Sequence, residues 1–153
     1  MMRNETPVAA YVRTHIIMGC IMLGAFAFMG LVLEAFHGFK LPFFLDVHNE
    51  TRRLLLRLSH SHGVLLGLCQ LAFAFVGDRL SLSRGLSSWA LHGASLLLPL
   101  GFFIGGWFLA ANGNDPGLGV LLVPPGGMLL VVAFFGLSLR SFKDGRTRHA
   151  SEE

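Results

Sequence analysis

The chain has 153 residues, of which 53% are hydrophobic and 14% charged, with a mean hydropathy of +0.61 and a formal charge of +3. Soluble domains carry about 25% charged residues, so this composition excludes an ordinary water-soluble globule. The basic residues flank apolar stretches, where they set topology, and they do not point to nucleic acid as a partner.

Roughly 20 apolar residues at about 1.5 Å rise cross a bilayer core of about 30 Å. Four stretches meet that length, at about 15–37, 52–77, 86–111 and 118–140. The expected fold class is an all-α membrane protein, a four-transmembrane-helix bundle forming one domain over 1–153 with polar tails. Arg3, Arg13, Arg79, Arg84, Arg140, Lys143, Arg146 and Arg148 fall on the side of the termini. Lys40, Arg52, Arg53 and Arg57 fall on the other. Eight against four predicts both termini in the cytoplasm, with the chain an integral protein of a bacterial inner membrane.

In chain order, a short polar lead precedes the first span, which carries His15, Cys20, Glu34 and His37. That span is too long for a secretion signal and has Glu34 near its end. A connector rich in phenylalanine (Phe39, Phe43, Phe44) suits an interfacial position. The second span holds Arg57, His60, His62, Cys69 and Gln70, with His48 and Arg53 just before it. Trp89 and Trp107 bracket the third, which carries His92. Asn112 to Pro116 reads as a turn. The fourth contains Pro124-Pro125-Gly126-Gly127, which must kink or break its helix. Both cysteines fall within spans and read as buried thiols, not a disulfide framework.

Each helical residue turns about 100°. His15, Gly19, Gly30, Glu34 and His37 therefore share one stripe. Arg53, Arg57, His60, Gly63 and Gly67 share a second, and Ser88, His92, Ser95, Pro99 and Gly106 a third. Small and polar residues on a stripe suit contact with other helices. Gly63-x-x-x-Gly67 and Gly101-x-x-x-Gly105 add close-packing motifs, the latter on the side away from His92. His60 and His62 point about 200° apart, so on a regular helix they cannot grip one metal ion. They must serve different neighbours. Glu34 is expected to pair with Arg57 near the interface.

Leu58-Ser59-His60-Ser61-His62-Gly63 resembles a helix of the catalytic subunit of the haem–copper oxidase superfamily, in which a His-x-His pair ligates two haems on opposite faces. Ala90-Leu91-His92-Gly93, followed by Pro99, is more loosely similar to another helix of that subunit. The resemblance implies axial haem ligation by His60, His62 and His92. It does not imply oxidase chemistry. The chain lacks an adjacent His-His pair, and its one tyrosine, Tyr11, lies outside the spans. That family's subunit has twelve helices in three groups of four, a number that a homotrimer of this chain would match.

Independently of the resemblance, apolar helical bundles hold haem between histidines, and intramembrane ionisable groups mark functional sites. The expected cofactor is haem b, with an electron-transfer role. Its expected ligands come from His60, His62, His92 and His15, and Glu34, His37, Arg57 and Gln70 form a polar cluster. The alternative is a transport or channel component, or a structural subunit of a membrane complex without cofactor. Expected partners are the lipid bilayer and a homo-oligomer or larger membrane complex.

Overall fold

The computed structural model describes residues 6–46, 50–80, 85–109 and 115–150, with side chains described to Phe142. His48, the residues 112–114 of the expected turn and the side chain of His149 lie outside that set. The described residues contain five α-helices, α1 Pro7–Gly38, α2 Pro42–Leu45, α3 Glu50–Arg79, α4 Leu86–Trp107 and α5 Val123–Ala150. No strand occurs among them. Four segments are long and apolar enough to cross a membrane: α1, α3, α4 and the stretch Leu118–Phe142. The architecture is thus an all-α four-helix bundle. The end of the bundle where α1 begins and α3 ends is called proximal, and the opposite end distal.

Local chemistry sets the helix ends. Thr6 caps α1 by accepting the Ala9 N–H at 3.2 Å, and Pro7 occupies the first turn, where no N–H is needed. α1 stops in a Schellman arrangement. The Lys40 N–H reaches the His37 carbonyl at 3.1 Å, and the Leu41 N–H reaches that of Phe36 at 3.0 Å. The turn places Lys40 at φ 51°, a conformation glycine would hold at lower cost. The fourth span opens with a 3-10 turn, Leu118–Leu122, and becomes α-helical at Val123. Pro124 and Pro125 therefore sit in the first turn of α5. The expected break falls at the distal start of the helix and leaves its remainder continuous.

α1 packs on α3, α3 on α4 and α4 on α5, in chain order. α3 and α4 are the inner helices, with 39% and 50% of their apolar windows buried against 17% for each outer span. The core is built from Met22, Leu66, Phe73, Leu91, Leu98 and Ala133. Ile21, Phe28 and Leu31 on α1, and Met128, Phe135 and Leu139 on α5, are exposed. On membrane-spanning helices that surface faces lipid.

The small-residue stripes lie where helices approach. A Cβ on Gly63 would enter the Phe26 ring, and one on Gly67 would lie 3.0 Å from Leu23 of α1. A Cβ on Gly106 would lie 2.8 Å from Leu55 Cβ of α3, too close to fit without a shift. Gly101 and Gly105 instead face Gly119 and Val120 of the 3-10 turn. α4 is thus packed on two sides, as the opposed positions of its glycines predict.

Candidate functional site

At the distal end, helical spacing brings two stripes together. Gly30, Leu33, Glu34 and His37 recur at intervals of one turn along α1, as do Arg53, Arg57 and His60 along α3. With Phe44 of α2 they line a cavity of about 450 Å³. Glu34, His37 and Arg57 are exposed at its walls, and His60 is partly buried. The expected ion pair of Glu34 with Arg57 does not form among the described residues. Arg53 instead pairs with Glu50, at 2.9 Å within the first turn of α3.

His60 is held in one orientation. Its Nδ1 lies 2.7 Å from the Phe26 carbonyl of α1. A carbonyl can only accept, so Nδ1 carries a proton, and in the neutral ring Nε2 keeps a lone pair. A neutral imidazole oriented in this way suits a ligand or a proton acceptor. Gly30 makes the position accessible, since a Cβ there would lie 2.5 Å from His60 Cε1.

His62 turns away from this cavity. Its Nδ1 donates to the Leu58 carbonyl of its own helix at 2.8 Å, and its ring packs on Phe102 of α4 with centroids 4.9 Å apart. The two histidines therefore serve different neighbours, as their angular separation requires. Each has the same tautomer for the same reason.

The other two candidate ligands occupy the proximal half. His15 is fully buried, with Nδ1 2.5 Å from Gln70 Oε1 and Nε2 2.8 Å from Ser88 Oγ. Gln70, also fully buried, donates from Nε2 to Ser95 Oγ at 2.9 Å. His92 stacks on His15 at 4.5 Å, and Tyr11 lies at the same distance from His15. This network ties α1, α3 and α4 together with both nitrogens of His15 engaged. Below the cavity, Ser59 donates to the Pro99 carbonyl at 2.8 Å and fastens α3 to α4 again.

Gln70 accordingly does not join Glu34, His37 and Arg57. It follows His60 by ten residues, about 15 Å along the helix axis, and it pairs with His15 instead. The sequence reading placed Ser88 and Ser95 on a stripe but did not connect them to Gln70. The signal was available: a lone amide in an apolar span needs partners at its own depth, and His15, Ser88 and Ser95 share that depth. Among the described residues, no three His, Cys, Asp or Glu side chains are grouped to hold a bare metal ion. No protein family, curated protein or solved structure matches the chain.

Proposed function

We propose that this integral membrane protein binds b-type haem in the distal cavity, where His60 Nε2 would hold the iron, with electron transfer as its role. The observation that carries the reading is the fixed tautomer of His60 at the wall of a cavity that also holds Arg53 and Arg57. Ligating histidines are oriented by donating the other ring N–H to a fixed acceptor, and the Phe26 carbonyl supplies one. The donor set suits the group. Two arginines would take its propionates, Leu33 and Phe44 would wall the porphyrin, and Gly30 leaves room beside the imidazole. His37 lines the same cavity and is the second candidate to hold the group. About 450 Å³ lies within the range of small-molecule sites. Haem, when bound, supplies one-electron redox chemistry. The chain holds it, orients it and limits its access to water.

His15 contributes differently in this reading. Both of its nitrogens are hydrogen-bonded, so His15 and its stacked neighbour His92 fasten helices together. The same network disfavours a polar transport route from Glu34 to Gln70, because Gln70 is sealed among side chains. It does support a second reading, a cofactor-free structural subunit whose polar groups only fix helix contacts.

The absorption spectrum of protein purified after expression with added haem precursor separates the two. Haem binding predicts a Soret band and a b-type pyridine haemochromogen, both retained in Ser88→Ala and lost or shifted in His60→Ala. A colourless protein that also fails to take up added haemin would leave the structural reading.

A further inference from the structure

A second distal cavity, on the α4 side of α3, involves none of the residues assigned to haem. It measures about 480 Å³ and is lined by Phe36 of α1, Phe43 of α2, Arg52 of α3 and Trp107 of α4. The rings support one another. Phe36 meets Phe43 edge-on at 5.2 Å, and Phe43 meets Trp107 at 6.4 Å. Arg52 is partly buried, and its guanidinium carbon lies 5.6 Å from the Phe43 ring centre.

Among the described residues, no hydrogen bond or ion pair accounts for this placement of Arg52. Its Nε is buried without a hydrogen bond, and no ion pair reaches it among the described residues. Glu50 is committed to Arg53. A guanidinium stays charged and carries five N–H donors in a planar fork. Contact with one ring offsets only part of the cost of withdrawing it from water. The missing component is an anion.

We propose that this cavity seats an anionic phospholipid of the distal leaflet, with its phosphate on Arg52 and the start of its acyl chain against Phe36, Phe43 and Trp107. Depth argues for a lipid. Phe36 lies near the end of α1, Arg52 near the start of α3 and Trp107 at the end of α4, the level of the headgroups. Charge and shape agree, since a planar fork matches a phosphate and an aromatic wall matches a chain. A free inorganic anion would leave that wall unused.

Trp107 reports on the cavity directly, because Trp89, the only other tryptophan, can be replaced by phenylalanine. The full chain carrying Trp89→Phe would be placed in phosphatidylcholine nanodiscs containing a minor share of brominated lipid. Brominated phosphatidylglycerol is expected to quench Trp107 several-fold more than brominated phosphatidylcholine at equal content. Arg52→Gln should remove that preference. Equal quenching by the two lipids overturns the proposal, and if Arg52→Gln does not insert, this contrast decides alone. In detergent, phosphatidylglycerol should shift Trp107 emission and glycerol phosphate should not. An equal shift by both would identify the ligand as free phosphate and overturn the lipid assignment.

Discussion

His60 and Gly30 act as a pair. The imidazole reaches the Phe26 carbonyl because residue 30 has no side chain, so a methyl group on α1 is enough to displace it. Gly30→Ala is expected to cost stability and to disturb any ligand held by His60. Gly24→Ala, on the same helix with nothing within 4 Å of its would-be Cβ, should be neutral or slightly stabilising. Unfolding in mixed detergent would show the contrast, and equal effects would mean that Gly30 does not limit the approach. The buried network behaves differently, because His15, Gln70, Ser88 and Ser95 are hydrogen-bonded to one another. Gln70→Leu leaves an N–H of His15 without its acceptor and Ser95 without its donor. The expected loss is about 1–3 kcal/mol, near the lower end if polar groups find partners in the membrane-embedded unfolded state. Ser88→Ala removes a single bond and should cost less. Were Gln70→Leu as stable as the native chain, the network would not be fastening the three helices.

At the scale of elements, each helix is positioned by what its neighbour lacks. α3 meets α1 through Gly63 and Gly67, and α4 meets the 3-10 turn through Gly101 and Gly105. Gly63→Leu must move the Phe26 ring, so it should separate α1 from α3 and lower the unfolding midpoint well beyond Gly67→Ala. The Schellman turn after α1 holds Lys40 in the left-handed region. Lys40→Gly should relieve about 1 kcal/mol of strain, measurable as greater resistance to detergent unfolding; an unchanged midpoint would mean the strain is absent. Much of this was legible in the sequence. Span lengths, glycine stripes and the divergence of His60 from His62 follow from helical periodicity alone. The position of the break in the fourth span did not. A double proline is compatible with a mid-span kink or a helix start, and only packing of the preceding 3-10 turn on Gly101 and Gly105 selects the start. Gln70 was misgrouped for a similar reason. Two polar groups on one helix reach each other's site only if angle and depth both agree, and Gln70 lies about 15 Å below His60 along the axis.

For the whole molecule, four candidate spans predict that the start of α1 and the end of α5 lie on one side of the membrane. A reporter fused after Arg140 and one inserted within 112–116 should report opposite sides, and agreement between them would mean a miscounted span. Polar groups are divided between the ends of the bundle. The proximal end holds the network of His15, Gln70, Ser88 and Ser95 and a cavity of about 440 Å³ lined by Thr6, Arg13 and Asp78, and the distal end holds two cavities bearing arginines and one oriented histidine. In the proposed reading the proximal network fastens helices and the cavity beside His60 takes the ligand. The most direct test is the spectrum of haem-loaded His60→Gly protein with and without added imidazole. The haem assignment predicts that the substitution abolishes or shifts the native bands and that imidazole, entering the vacated space, restores them. Native bands unchanged by His60→Gly would contradict it.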